Sequence, residues 1–400
     1  MNKRLYDAIC DFCNELTNWE EKREFYIAEV LPTLVDRYNH SAISSKARLL
    51  FMDIWNLASG SEWNNIINLI IEIKETPDKE LEKQIEKARA IFTTLKRKYN
   101  FQGFIHTTAY ENFINIMKLG KIYSRKLIFE KNIEHKNIAL NEVLNTTPET
   151  IKSFARFYWR VKTPTCYRNE GIKPQAELVD NFKAHSPNPV ILVIDENIAF
   201  EKDCRFTPIN ACKCQTIFDL TDLAKFDFEK IFHKNVISSN EINKEIILAR
   251  NAEMLYPQSL PTDAIKKIIF RSFADYDRAI LELGEDSRFV VDPSQFFNNW
   301  LYVENYKIKI KEKNIKLNIN YNFGQEFLKH IDYMFGSRKF KHSILFLDKN
   351  FKIIEIFNVN NQIYDNKNCT QVFEFTNKPE YKFLCYHIDN IECIKAKIND

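Results

Sequence analysis

The apolar positions along the chain change period twice. Between Thr76-Pro77, which reads as a helix cap and first turn, and Tyr99, the residues Leu81, Ile85, Ala88, Phe92, Leu95 and Tyr99 step by fours and threes. That spacing predicts one helix with a single buried stripe. Segments at 19–38, 44–58 and 61–74 have similar periodicity, with Ser59-Gly60-Ser61 as a break, so residues 1–98 are predicted to form a helical N-terminal domain. From Phe101 the texture alternates. Short extended runs (Gly103 to His106, Pro189 to Asp195, Ile268 to Ser272) are interleaved with helical stretches at 110–119 and 226–233, which predicts an α+β domain over 99–290. Beyond 290, Tyr306 to Ile310, Ser343 to Asp348, Lys352 to Asn358 and Val372 to Thr376 lie between Asn-rich turns. They predict a mainly β domain over 291–400.

Composition narrows the classes. Forty-five per cent hydrophobic and 14% aromatic residues are enough to build packed cores, and 7 glycines leave little material for Gly-rich phosphate loops. Neither GxGxxG nor a P-loop is present. The net charge of +3 demands no polyanionic partner, so local patches must decide that question. Nine scattered cysteines without a signal peptide suggest a reducing, cytoplasmic setting. Cys10-x-x-Cys13 has no second CxxC and Cys212-Lys-Cys214 has no histidine at ligand spacing, so both are expected to be packing residues and no metal is expected. The longest apolar stretch, at 66–73, is too short to span a bilayer, so no membrane association is expected either.

Three separated segments of the middle domain make chemical sense together: Phe104 to Phe113 followed by Leu119 to Arg125; Phe154 to Tyr167; and Asn251 to Tyr256 followed by Pro261 and an Ile-rich run. In these segments the chain resembles the DarT family of bacterial ADP-ribosyltransferases, toxins that transfer ADP-ribose from NAD to a DNA base. The opening pattern is filled by His106, Thr108 and Asn112, with Ile122 to Arg125 after it. The central pattern is matched by Phe157-Tyr158-Trp159, Lys162-Thr163-Pro164 and Tyr167, and the catalytic block by Asn251 to Tyr256. Phe206-Thr207 and Asn210-Ala211 follow the family's intervening turn. The central block is also similar to a stretch of the poly(ADP-ribose) polymerases. The resemblance covers about 101–275 and implies an ADP-ribosyltransferase-type split β-sheet core, NAD as substrate, a nucleic-acid acceptor and an antitoxin protein as partner.

Chemistry supports the same residues. Breaking the nicotinamide–ribose bond builds oxocarbenium character at the anomeric carbon, and a fixed carboxylate beside it stabilises that charge. Glu253, between Ala252 and Met254-Leu255 at the start of a strand, is the candidate. Tyr158 and Tyr167 would stack on the cationic nicotinamide. His106, at the end of a strand, would hydrogen-bond ribose or carboxamide with Thr108 beside it, and the resemblance adds Asn112 and Thr163 to the cofactor contacts. Arg125, Arg156, Arg160 and Lys162 lie close by in sequence to pair pyrophosphate or acceptor phosphates. Taken singly, each residue has a plainer reading: a solvated edge glutamate, a satisfied core histidine, an aromatic core block. One interval departs from the family. Where members carry an Ile-Gln-x-Arg-Arg-like stretch linked to the acceptor base, Asn137 to Asn145 has no arginine, which leaves RNA or a different DNA base open as acceptor.

In the C-terminal region Lys307, Lys309, Lys311 and Lys313 alternate with Ile308 and Ile310. This is either a stripe that tracks phosphates or an edge strand protected by lysines. Arg338-Lys-Phe-Lys-His342 adds a basic cluster with an aromatic inside it. The sequence thus points to an NAD-dependent ADP-ribosyltransferase acting on single-stranded nucleic acid, as a toxin or antiphage effector. The alternatives are a protein-directed transferase or NAD glycohydrolase, and a non-catalytic nucleic-acid-binding module.

Overall fold

A computed structural model describes residues 79–138, 145–173, 185–201, 203–235, 241–325, 340–359 and 370–399. The chain divides into two units, Met1–Glu86 and Lys87–Asp400. The helices expected at 19–74, with Cys10 and Cys13, lie outside the described residues, as do Arg338 and Lys339 of the second basic cluster and most of the 137–145 interval. The architecture below is that of the second unit.

Helix Lys79–Tyr99 carries the predicted stripe, and its Ala88, Phe92 and Leu95 are buried. Phe92 stacks on Trp159 with centroids 5.9 Å apart, so the part of this helix beyond Lys87 belongs to the α+β core and not to a domain ending at 98. The strands are β1 (Phe104–Ala109), β2 (Lys121–Tyr123), β3 (Phe154–Tyr158), β4 (Pro189–Ile194), β5 (Arg205–Thr207), β6 (Glu253–Pro257), β7 (Ser259–Pro261), β8 (Ile265–Phe270) and β9 (Phe289–Val291). Seven of them form one sheet in the order β5-β6-β3-β1-β4-β8-β9, while β2 and β7 pair separately. β4 is buried at every position, as its unbroken apolar run Pro-Val-Ile-Leu-Val-Ile requires at the centre of a sheet covered on both faces. Gly103 (φ +141°) lets β1 enter beside β4, because a Cβ there would sit 2.1 Å from the Ile194 carbonyl oxygen.

Alternation along the strands sets the two faces. Phe104, Phe157, Leu192, Phe206 and Met254 build the larger core with Phe92, Phe113 and Trp159. Ile105, Ile191, Val193 and Ile269 build the smaller one on the opposite face, closed by Phe296 and joined by Tyr158. The sheet is split in its middle. β1 pairs with β4 over six residue pairs but with β3 at one, Ile105↔Tyr158, and the strands part beyond that point.

The C-terminal region is β, as expected. β10 (Tyr302–Lys311), β11 (Asn314–Asn322) and β14 (Thr370–Thr376) form a three-stranded sheet, while β12 (His342–Leu347), β13 (Ile353–Val359), β15 (Phe383–Ile388) and β16 (Ile391–Lys397) form a four-stranded one. It is not a separate domain beginning at 291. Ala274 of helix Phe273–Leu283 and Ile172 are part of its core, and Phe296 packs on the seven-stranded sheet.

Candidate functional site

Glu253, the first residue of β6, is 1% exposed. Its position follows from the ladder: it pairs in register with Tyr158, so both project from the face that carries Ile105. Its carboxylate accepts from Arg156 Nε at 2.5 Å and Nη2 at 2.7 Å, and from the backbone N–H of Ala211 at 3.1 Å. Ala211 opens the short 3-10 turn Ala211–Lys213, which Asn210 caps by accepting from the Cys212 N–H. Burial works against the Arg156 charge, but the Glu253 carboxylate outweighs it and raises the guanidinium's pKa. The third Arg156 nitrogen, Nη1, donates to Cys212 Sγ at 3.2 Å, and Thr147 Oγ1 lies at the same distance from that sulfur. A charge-assisted fork of this kind holds a buried carboxylate aimed in one direction.

Across the split stands His106, in the middle of β1 and not at its end. It shares its face with Phe104 and Phe157, and its Nδ1 lies 3.2 Å from the Arg156 carbonyl oxygen, bridging the strands where their ladder has opened. Burial lowers its pKa, so the ring is neutral at pH 7. His106, Thr108, Asn112 and Arg125 line one cleft together with Tyr123 and the loop 133–138. Ser124 places Arg125 by capping helix Arg125–Glu130. Burial lowers the Arg125 pKa and the nearby Arg156 charge lowers it further. Among the described residues no carboxylate pairs with Arg125, so this cleft carries a cation suited to an anionic ligand.

Asn112 shapes the cleft from behind. Its amide donates to the Lys136 carbonyl at 2.8 Å and accepts from the Lys136 N–H at 2.6 Å, while Asn115 donates to the Glu134 carbonyl at 3.0 Å. Helix Tyr110–Leu119 thereby straps down the loop that forms the far wall. Helix Pro164–Asn169 reaches the same loop, with Asn169 donating to the Ile138 carbonyl at 2.8 Å. Thr163 is fully buried and caps that helix, so its hydroxyl is committed within the fold. Tyr158 is half-buried against the smaller core, and burial raises its pKa. Tyr167, on the same short helix, is 44% exposed and meets Phe297 edge-on at 5.1 Å.

Two arginines expected to contact phosphates are occupied elsewhere. Arg156 is the partner of Glu253, and Arg160 donates to the carbonyls of Val161, Ile231 and His233 in a second cavity beside Phe101 and Phe232. Lys162 sits at positive φ (55°) in the turn before Thr163. Lys307, Lys309 and Lys311 are exposed on β10, an outer strand of its sheet. Cys212 is no mere packing residue, since it takes the spare nitrogen of Arg156. Sequence reading missed Ala211, Cys212, Thr147 and Asn115, whose contacts span tens of residues; only the Asn210-Ala211 turn pointed that way.

The buried, arginine-held glutamate on β6 and the neutral histidine on β1 flank β3, the strand whose ladder with β1 opens, in a split mixed sheet of the ADP-ribosyltransferase type. Residues 105–302 match the family model of DarT, described as ssDNA thymidine ADP-ribosyltransferase, and that stretch is a DarT-like domain. Among solved structures, DarT of Thermus sp. 2.9 in complex with NAD+ aligns at 15% identity and TM-score 0.39, covering 48% of this chain and 96% of that one. The same Thermus protein in complex with ADP-ribosylated ssDNA aligns at 16% identity and TM-score 0.39, covering 48% and 95%. DarTG of Thermosipho africanus in complex with ADP-ribose aligns at 18% identity and TM-score 0.40, covering 53% and 54%. No curated protein matches by sequence. No described helix is long and apolar enough to cross a membrane.

Proposed function

We propose that this protein transfers ADP-ribose from NAD to a base of single-stranded DNA, releasing nicotinamide. The observation that carries the reading is the Glu253 carboxylate, buried on β6 and held by Arg156 of β3 and the Ala211 N–H, with His106 of β1 tied to the same strand β3 through the Arg156 carbonyl. A carboxylate fixed in advance stabilises the oxocarbenium-like charge without reorganising during the reaction. His106 and Thr108 would contact the ribose and nicotinamide half, Tyr158 and Tyr167 would stack on the ring, and Arg125 would pair the pyrophosphate. A base must leave its stack to be modified, which favours a single-stranded acceptor. Thymidine, named in the family description, is the first base to test. Such chemistry in the cytoplasm damages the cell's own DNA, so the protein would act as a toxin or antiphage effector under an antitoxin.

The deciding experiment incubates the protein with labelled NAD and separate pools of single-stranded DNA, duplex DNA, RNA and protein. Label should appear on single-stranded DNA and disappear on DNase treatment. Label removed only by RNase moves the acceptor to RNA. Label that survives both nucleases but is lost on proteolysis rejects the nucleic-acid reading, and NAD breakdown without any labelled acceptor identifies a glycohydrolase.

A further inference from the structure

The C-terminal hairpin β15–β16 gathers three side chains that the transfer reaction does not use. Cys385 and His387, two apart on β15, and Glu392 on β16 bring a thiol, a ring nitrogen and a carboxylate oxygen within 4.8 Å of one another. His387 and Glu392 pair directly across the hairpin, with Nε2 and Oε2 3.8 Å apart. That separation is too long for a hydrogen bond, yet it is near the roughly 3.4 Å edge between nitrogen and oxygen ligands that each sit ~2.1 Å from a tetrahedral metal. His387 Nε2 is itself buried and has no hydrogen-bond partner. Buried ring nitrogens without a partner are rare in folded proteins and call for an explanation. Cys385 is 2% exposed, is in no disulfide, and has its thiol in hydrogen-bond reach of Glu392.

The surroundings fix the carboxylate in a way that suits a ligand. Arg278 Nη2 donates to Glu392 Oε1 at 3.0 Å, leaving Oε2 turned toward the histidine ring. The Glu392 backbone carbonyl accepts from Arg278 Nη1 at 2.8 Å and from Asn188 Nδ2 at 2.9 Å. Arg278 lies on helix Phe273–Leu283 and Asn188 just before β4, so the cluster sits where the four-stranded sheet meets the catalytic half of the unit. Outer-sphere bonds that orient a ligating carboxylate are the usual support of a metal centre.

We infer that Cys385, His387 and Glu392 form a Zn2+ site that fastens the C-terminal hairpin and has no part in the transfer proposed above. A mixed sulfur, nitrogen and oxygen set suits zinc among the common divalent ions, since calcium and magnesium take oxygen ligands. On binding, the Cys385 thiol gives its proton to solvent and coordinates as thiolate. With one thiolate and one carboxylate the centre is neutral, which makes the neighbouring Arg278 and Lys395 tolerable. A fourth position remains for water. The sequence concealed this group because its spacing is that of a strand pair and matches no CxxC pattern.

The test uses the full chain stripped with EDTA and dialysed. Zn2+ is titrated against a chromogenic chelator, and Co2+ is added separately to read the thiolate-to-cobalt charge-transfer band. We expect one tight equivalent of Zn2+, the Co2+ band, and a rise in melting temperature with Zn2+. Cys385→Ala should abolish the band. His387→Gln should weaken Zn2+ by more than the roughly 10–100-fold that loss of an outer-shell partner costs. If Cys385→Ala does not fold, His387→Gln decides, because that ring is partly exposed and the glutamine keeps its volume. Absence of the band in the unmodified protein, or a band and affinity unchanged in the folded variants, overturns the site.

Discussion

Arg156 holds Glu253 from one diagonal step along the same sheet face: Glu253 pairs in register with Tyr158, yet its two carboxylate oxygens are bonded to Arg156, which pairs with Leu255. The catalytic candidate and its counterion are thus set by the β3–β6 ladder alone, before any loop contributes. Glu253→Ala would leave a desolvated arginine unpaired, a loss that ordinarily costs about 3–5 kcal/mol; with 30% of the Arg156 side chain exposed, the lower end applies. Glu253→Gln keeps the side-chain volume and one acceptor oxygen, and although its NH2 meets an Arg156 donor and the guanidinium loses its counter-charge, it is the milder variant. At saturating NAD it should lower ADP-ribosyl transfer on the order of 100-fold or more while NAD affinity changes little. Arg156→Lys cannot reproduce the fork and should lower turnover without altering the salt dependence of DNA binding. Near-normal turnover of Glu253→Gln would remove Glu253 from the chemistry.

Asn112 acts through the loop it clamps. Replacing it by alanine removes both bonds to Lys136 and frees the wall of the cleft. The expected outcome is a loss of roughly 1–2 kcal/mol in urea unfolding together with a raised KM for NAD and a nearly unchanged kcat. Asn112→Asp keeps the acceptor for the Lys136 N–H but sets a carboxylate against the Lys136 carbonyl, so it should be no better than alanine. A kcat fall at constant KM would instead make Asn112 a group that touches the reacting atoms.

Tyr158 and Tyr167 should separate under mutation. Tyr158 packs against the smaller core, so Tyr158→Ala should cost about 3 kcal/mol of stability as well as NAD affinity, whereas Tyr158→Phe should keep both. Tyr167 is 44% exposed, and Tyr167→Ala should weaken NAD binding while the melting temperature stays put. Calorimetric titration alongside thermal melts makes the distinction. Equal NAD affinity for Tyr167→Ala and Tyr167→Phe would exclude stacking at that ring.

What the sequence reveals and what it conceals follow from range. Period and turn chemistry are local, which is why helix Tyr110–Leu119, β1, β4 and the C-terminal strands β10 and β12 to β14 fall within a few residues of the expected runs. The grouping of His106, Thr108, Asn112 and Arg125 in one cleft was legible because a turn, a helix and a short strand separate them. The partner of Glu253 was not, because Arg156 lies 97 residues away and nothing in Phe-Ala-Arg-Phe-Tyr says whether an alternating arginine faces phosphate or carboxylate. Thr163 and Arg160 look like ligand contacts for the same reason, whereas helix-end and loop carbonyl groups claim them.

Buried histidines, His106 and His185 among them, give the fold an acid-side limit. Burial lowers the pKa of His106, and burial brings His185 down to about 4, despite a bond at 2.7 Å to the Gly171 carbonyl. An unfolded histidine protonates near 6.5. Between that value and the folded one, the unfolded state binds more protons, so stability is fully present above about 6.5 and is lost as the pH falls through the window down to about 4. For His185 the loss is on the order of 3 kcal/mol. Melting temperature should therefore decline below pH 6.5, and His185→Gln should make that decline shallower. A decline of the same steepness in the variant would assign the acid sensitivity to other groups.

The lysines of β10 allow a test that separates their two readings. Lys307, Lys309 and Lys311 are exposed on an outer strand, where they face Asn318, Lys316 and Asn314 of β11, and Lys316 is already paired with Glu374 at 2.7 Å. If the stripe tracks the backbone of the acceptor strand, changing all three lysines to glutamine removes three phosphate contacts. For a single strand, the slope of log affinity against log salt should then flatten by roughly 2. NAD breakdown without DNA should be unchanged, because Glu253 and the cleft belong to another sheet. If the lysines only protect an edge, the slope stays as it was and the triple variant instead aggregates, since the unpaired backbone of β10 is left beside Ile308 and the exposed Ile310. We expect the flattened slope, measured at several salt concentrations with an oligonucleotide long enough to reach beyond the modified base.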